Sequence, residues 1–271
     1  MKIAIIACGW LGQPLAQQLL KDGHSVVATC RSAAKQQELQ NLGLTTQLFN
    51  LGDNLHSAMM QEVLQADLLI LNIPPGGKHI QAEFFTHHMC ALVQAAKSHG
   101  TQRLLFISTT AVYGEVQGEI FEHVLCQPAT LSAKAHLKIE QQVLGIFGKQ
   151  ASVLRLAGLV GHDRHPAKYL AARSAVSQGS QGVNLVHQLD VISAIQAIIQ
   201  HKYYGVIFHL SAHEHPSRQD YYSWACTKLG LQAPEFDIEI TPNHGKLINA
   251  QWTCQQLKLQ LKYPSPYDML N

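Results

Sequence analysis

The sequence predicts an α/β protein: a doubly wound parallel sheet with a small C-terminal mixed α/β lobe. Three observations carry that prediction. Short apolar runs of strand length alternate with longer amphipathic segments through the first half of the 271 residues. A glycine-containing turn joins the first apolar run to the first amphipathic segment. After Gly158 the alternation loosens without a linker, a repeat or a low-complexity stretch.

Taken in order, strands are expected at Lys2–Cys8, Ser25–Cys30, Thr45–Phe49, Asp67–Ile73, Arg103–Ser108 and Ser152–Leu156. Helices fall between them, near Gln13–Lys21, Ala33–Leu42, His79–Ser98 and Ala133–Phe147. Pro14 suits a first helical turn, and Gly23 and Gly100 suit positions just beyond helix ends. Strand–helix alternation implies right-handed crossovers and a sheet covered on both faces. Farther on, a helix is expected at Pro166–Val176, a strand at Val183–His187, a helix at Val191–His201, a strand at Val206–Ser211 and a helix near Arg218–Leu229. The predicted division is residues 1–161 for the sheet domain and 162–271 for the lobe, with segments near 183–211 returning to the sheet.

Composition narrows the class. Apolar residues at 46% and charged residues at 14% describe an ordinary globule with a full core. A formal net charge of +2 gives no basis for nucleic acid or an anionic membrane as partner. The run Ile3–Cys8 is followed at once by Gly9 and Gly12, so it reads as a buried strand and not as a leader. The six cysteines are scattered without a C-x-x-C pair, as expected of reduced thiols in a cytoplasmic protein.

The turn reads Ala7-Cys8-Gly9-Trp10-Leu11-Gly12, which is G-x-G-x-x-G with alanine in the first glycine place. Its position between strand and helix is what a pyrophosphate site requires. The chain must turn tightly, the backbone at Gly9 must come close to the anion, and the helix must present free N–H groups and its positive end. Gly12 lets helix and strand pack closely. This is the dinucleotide fingerprint of a Rossmann-type sheet. An NAD-selective site usually ends the second strand in an acid that accepts from the ribose 2′-OH. Here that strand ends Thr29-Cys30-Arg31-Ser32, with Lys35 a turn later. Arg31 is suited to a forked pair with a 2′-phosphate, and Ser32 to a hydroxyl bond, so NADP is expected, with NAD also admissible. Asn50 and Leu51 after the third strand, and Ile73, Pro74 and Pro75 after the fourth, complete the expected cofactor-binding set with Gly9, Trp10, Leu11 and Gly12.

Farther along, Ser108-Thr109-Thr110-Ala111-Val112-Tyr113-Gly114 resembles the S-[ST]-x-x-V-Y-G signature of extended short-chain dehydrogenase/reductases, which include nucleotide-sugar epimerases and dehydratases. Leu154–Gly161 resembles that family's sixth strand and following loop, and Asn184-Leu185-Val186-His187-Gln188-Leu189-Asp190 its substrate-side N-x-x-H-x-x-D segment. Ile73-Pro74-Pro75-Gly76 resembles the atypical branch. The resemblance implies a tyrosine acid/base helped by a lysine four residues on, with a Ser or Thr holding the substrate oxygen. Thr109 stands in the Ser/Thr place. The helix that should carry Tyr-x-x-x-Lys reads Leu131-Ser132-Ala133-Lys134-Ala135-His136-Leu137-Lys138-Ile139-Glu140 and has no tyrosine. Counted from Lys138, Lys134 holds the tyrosine place. Counted from Glu140, Ser132 and His136 form the pair. Lys134, His136 and Lys138 are therefore the candidate sources of charge or a proton, and His136 has the unperturbed pKa nearest neutrality.

Arg164, Asn184 and His187 are the candidate substrate residues, for an anionic or nucleotide-linked small molecule. His209, His213 and His215 fit no standard metal spacing, and no metal is expected. The expected function is an NAD(P)-dependent reductase- or epimerase/dehydratase-like enzyme for a hydroxyl- or carbonyl-bearing metabolite. A catalytically silent NADP-binding sensor is the alternative that the missing tyrosine favours.

Overall fold

A computed structural model describes residues 1–76, 81–241 and 243–270. The chain divides into two compact units. The first comprises Met1–Val112, Pro128–Arg155 and Ile198–Phe208, and the second comprises Tyr113–Gln127, Leu156–Ala197 and His209–Asn271.

The first unit opens with β1 (Lys2–Ile6), α1 (Gly12–Lys21), β2 (Ser25–Cys30), α2 (Ala33–Asn41), β3 (Thr45–Leu48), α3 (Ala58–Leu64), β4 (Leu68–Leu71), α4 (Ala82–Ser98) and β5 (Arg103–Thr109). After β6 (Gly118–Ile120) come α5 (Leu131–Phe147), β7 (Ala151–Leu156), β8 (Gly158–Val160), α6 (Ala167–Leu170), β9 (Leu185–His187), α7 (Gln188–His201) and β10 (Ile207–Leu210). The chain ends with α8 (Arg218–Lys228), β11 (Lys246–Ile248) and α9 (Gln251–Leu257). The central sheet has seven parallel strands in the order β10-β7-β5-β4-β1-β2-β3. The strand order reverses between β1 and β4, which makes the switch point where such sheets hold ligands. The expected doubly wound α/β sheet is therefore present.

Sequence pattern explains these elements. In α1, Gly12, Leu15, Ala16 and Leu19 are buried at helical spacing, and Gly23, at φ +81°, turns the chain toward β2. In β4, all four residues Leu68–Leu71 are buried, as a central strand covered on both faces requires. Helix α4 was expected from His79; its described part begins at Ala82, and His79 lies outside the described residues.

One contact fixes α5 against the sheet. Glu140 is buried and accepts from Arg155 Nη2 at 2.7 Å and from Arg155 Nε at 3.2 Å. Ser108 Oγ donates to the same carboxylate at 2.5 Å. Arg155 comes from β7 and Ser108 from β5, so the pair joins one helix to two strands. Its charges are bonded from several sides, which is what makes a buried ion pair tolerable.

The second unit has its own core of Val160, Ala167, Val183, Leu185, Tyr221, Tyr222, Ala225 and Met269. Two-stranded sheets β6–β11 and β8–β9 lie in it. The helix expected at Pro166–Val176 is a correction: it is one turn, Ala167–Leu170. Ala172 and Ala175 have φ of +58° and +54°, and the backbone is drawn to other partners. Ala172 N–H bonds to Gln232 O and Val176 N–H to Glu235 O. Tertiary backbone pairing thus overrides the helical preference of an alanine-rich segment. Helices α3 and α9 and the short strands β6, β8 and β11 were not expected from the pattern; each is seven residues or shorter.

Removing Glu140 leaves the buried Arg155 guanidinium without its carboxylate. Glu140→Ala should cost about 3–5 kcal/mol in urea unfolding. The triple change Glu140→Leu, Arg155→Met, Ser108→Ala should recover most of that, and a single-variant loss below about 1 kcal/mol would contradict the role.

His165 and His187 are buried in the second unit, and burial pushes both down to about 4, helped by Lys168 beside the first and Lys262 beside the second. The unfolded chain protonates them near 6.5 and the folded chain does not. Their stabilisation is therefore complete above about pH 6.5 and is lost as pH falls toward 4. Asp190, pushed up by burial, opposes this at the acid end of the window. The melting temperature should drop between pH 7 and 5, with a shallower slope in His187→Gln; a flat profile would refute the assignment.

Candidate functional site

The loop after β1 is built around Ala7. Its φ of +70° lies in the left-handed region, which glycine occupies freely and alanine at a cost on the order of 1 kcal/mol. Three bonds hold it there. Ala7 N–H donates to Thr29 Oγ1 at 3.0 Å, Cys8 N–H donates to Thr29 O at 2.7 Å, and Asn72 Nδ2 donates to Ala7 O at 3.3 Å. The strained turn is thus tied to both neighbouring strands.

The two glycines have opposite surroundings. A Cβ on Gly12 would lie 2.9 Å from Ala7 O, so the helix start packs against the turn and accepts nothing larger than glycine. A Cβ on Gly9 would meet nothing within 4 Å. The loop is closed at its back and open at its front. Helix α1 starts without a side-chain cap, so its positive end is open to an anion, although Gln13 N–H already donates to Gly9 O and Pro14 carries no N–H. These features fit a dinucleotide pyrophosphate.

The other cofactor candidates follow the carboxyl ends of β1 to β4. Trp10 is half-buried and Leu11 buried. Arg31 and Ser32 are exposed at the end of β2. The Ser32 hydroxyl caps α2 by accepting from Lys35 N–H at 3.3 Å. Lys35 Nζ lies 2.5 Å from Gln13 Oε1 and 2.8 Å from Glu38 Oε1. Beyond β3, Asn50 N–H is held by Asp53 at 2.7 Å, and Leu51 packs on the core. Beyond β4, Ile73 also packs on the core, Pro74 is exposed and Pro75 half-buried.

Thr109 ends β5 half-buried, and its Oγ1 accepts from Ala111 N–H at 3.1 Å. On α5 the candidates separate by face. His136 lies four residues before Glu140, and both are buried. Ser132, a further turn back, is half-buried. Lys134 and Lys138 are exposed. His136 sits between Phe85 of α4 and Phe106 of β5, with ring centroids 5.7 and 5.8 Å away. Its Nδ1–H donates to Ser132 O at 2.9 Å, so Nε2 carries the lone pair. Burial holds its pKa below the usual histidine value, against the raising effects of the Ser132 bond and the Glu140 charge. The ring is therefore neutral at pH 7. Ser108, Glu140 and Arg155 were not among the expected site residues. The signal for Arg155 was a lone arginine inside the otherwise apolar run Val153–Val160; Glu140, flanked by Ile139 and Gln141, carried none.

In the second unit, Arg164 is exposed on a tight turn whose N–H bonds to Gly161 O at 3.0 Å. Asn184 is committed to backbone: its amide donates to Gly182 O and Lys246 O, and its Oδ1 accepts from Ile248 N–H. His187 stacks on Tyr263 with centroids 3.8 Å apart, and its Nδ1 accepts from Leu189 N–H. The Tyr113 hydroxyl lies 3.0 Å from His209 Nδ1, while His209 Nε2–H donates to Asn249 O at 2.7 Å. That second bond puts the proton on Nε2, so the tyrosine donates. Among the described residues no group of three or more His, Cys, Asp or Glu is placed to hold a metal ion. No helix among them is long and apolar enough to cross a membrane.

Comparison with known proteins agrees with this geometry. The family model described as NAD(P)H-binding matches residues 7–160, more than half of the chain. Protein YeeZ of Escherichia coli (strain K12) is 33% identical over 270 residues, covering 99% of this chain and 98% of that protein. The uncharacterized UDP-glucose epimerase YtcB of Bacillus subtilis (strain 168) is 30% identical over 189 residues, covering 61% of this chain and 59% of its own length. The solved structure of UDP-glucuronic acid 4-epimerase from Bacillus cereus in complex with NAD superposes with a TM-score of 0.79 at 22% identity, covering 99% of this chain and 96% of that one. Residues 7–160 thus carry an NAD(P)-binding domain, and the chain belongs to the NAD(P)H-binding family, with the fold of the extended short-chain dehydrogenase/reductases.

Proposed function

We propose that the protein is an NADP-dependent reductase- or epimerase/dehydratase-like enzyme acting on a hydroxyl- or carbonyl-bearing, nucleotide-linked metabolite. The observation that carries this is the β1–α1 loop, open at Gly9 and closed at Gly12, beside a second strand that ends in Arg31. In this reading the backbone at Gly9 and the first turn of α1 hold the pyrophosphate, and Arg31 holds the 2′-phosphate. The names of YtcB and of the Bacillus cereus epimerase support a UDP-linked substrate class. Arg164, Asn184 and His187 remain the proposed substrate-side set, with Asn184 acting through the backbone it holds.

When bound, the nicotinamide supplies or accepts hydride. The chain's own part is to position an oxygen and move a proton. Thr109 Oγ1 is proposed to hold the reacting oxygen. His136 is proposed as the acid/base group, because its neutral ring offers an Nε2 lone pair at pH 7. Lys134 and Lys138, exposed on α5, are assigned a supporting positive charge. A second reading has its own support: α5 contains no tyrosine. Under that reading the protein binds NADP and senses it without turnover.

Two experiments test the proposal. Arg31→Ala should weaken NADP roughly 10- to 100-fold with little effect on NAD, and Gly9→Val should remove both; equal loss of the two cofactors in Arg31→Ala would refute the 2′-phosphate assignment. With a panel of UDP-sugars, nicotinamide absorbance should change during turnover. His136→Gln should lower kcat about 100-fold or more with cofactor affinity retained. Wild-type kcat/KM should be flat near pH 7 and decline only at pH below the ordinary histidine range, as the depressed histidine takes up its proton. Cofactor binding without turnover on any substrate would favour the sensor.

A further inference from the structure

We infer that Lys35 is a second ligand for the ribose 2′-phosphate and that Glu38 competes with that phosphate for it, so Glu38 sets how strongly NADP is preferred over NAD. The inference rests on the NADP reading above and goes beyond it in naming the residue that tunes it.

The geometry begins with the cap on α2. Ser32 is the N-cap, so Lys35 is the third helical residue and Glu38 follows it by three, on the same face. Lys35 does not point out into water. Its ammonium reaches Gln13 Oε1 in the first turn of α1 at 2.5 Å, and so spans from α2 back to the helix that begins at the phosphate loop. Its charge is felt at the carboxyl ends of both strands beneath. It opposes the burial that raises the Cys8 thiol at the end of β1 and the Cys30 thiol at the end of β2. A dinucleotide whose pyrophosphate lies on α1 places its adenosine ribose over the end of β2. Lys35 is therefore on the ribose side of the phosphate loop, and Arg31 stands exposed at the strand end.

An ammonium has three donors. Gln13 and Glu38 take two, which leaves one for a new acceptor. Glu38 is the opposing element. Its carboxylate is 2.8 Å from Lys35 Nζ, and the lysine bond holds its pKa below the usual range, so it is ionised at neutral pH. A 2′-phosphate brings about −1.5 to −2 charge to that place and must repel or displace the carboxylate. A ribose 2′-OH brings no charge and can donate to the carboxylate instead. No acid stands at the end of β2 itself, but α2 carries one back into reach. The Lys35–Glu38 pair is half in solvent, with side chains 29% and 52% exposed, so the pair exchanges partners at small cost.

The test is the ratio of NADH to NADPH dissociation constants, read by energy transfer from tryptophan to the bound nicotinamide. Glu38→Gln should raise the ratio at least about threefold, mainly by tightening NADPH, and Lys35→Met should lower it about tenfold. Both shifts should shrink as salt is raised from about 0.05 to 0.5 M. The side chains are on the surface, and unchanged circular dichroism confirms that each variant is folded. A ratio unmoved in either variant overturns the inference. Arg31→Ala separates the two levels. If it shifts the ratio while Lys35→Met and Glu38→Gln do not, only the competition fails. If it does not, the NADP reading itself fails.

Discussion

The first unit depends on one buried carboxylate. Glu140 gathers Arg155 from β7 and Ser108 from β5, and so fixes both where α5 lies and how it is rotated about its axis. Rotation matters because a helix has a chemical face. With Glu140 turned inward, the residues four and eight positions earlier turn inward with it. His136 is thereby buried between two phenylalanines, Ser132 lies a turn above it, and the lysines at 134 and 138 go to the exposed side. Apolar contacts alone tolerate small rotations. A bidentate ion pair with a third hydrogen bond does not.

A second constraint sits at the other end of the site. The turn after β1 holds alanine in a conformation made for glycine. Thr29 and Asn72 over-determine that conformation through bonds to the Ala7 backbone. The strain is the condition for a tight exit from the strand, and the tight exit lets Gly12 pack on Ala7 O while Gly9 faces open space. Local conformational cost and the open front at Gly9 are two consequences of one turn.

The second unit uses histidine differently. His165, His187 and His209 are buried and serve as fixed hydrogen-bonding groups. Each places one ring nitrogen against a named partner: Ala167 N–H for His165, Leu189 N–H for His187, and Asn249 O for His209. A chain with 16 histidines invites metal or acid/base readings. In these three the imidazole instead satisfies backbone groups, in His165 and His187 at the expense of acid stability.

The central strands, the first helices and the phosphate loop were legible in the sequence because their causes are local. Strand and helix periodicities appear within a few residues, and the fingerprint Ala7–Gly12 names its own turn. The basic end of β2 was legible for the same reason. What lay between Ser132 and Glu140 was not. Two registers fitted the same ten residues, and which of those side chains face inward depends on what Arg155 and Ser108 bind, residues on strands 15 and 32 positions away. The false helix at 171–176 and the reach of Lys35 back to Gln13 have the same origin. A sequence states which groups are available and how often they recur along the chain; the partner that a buried charge, an exposed cation or a free backbone amide finally takes is decided only when distant segments are brought together.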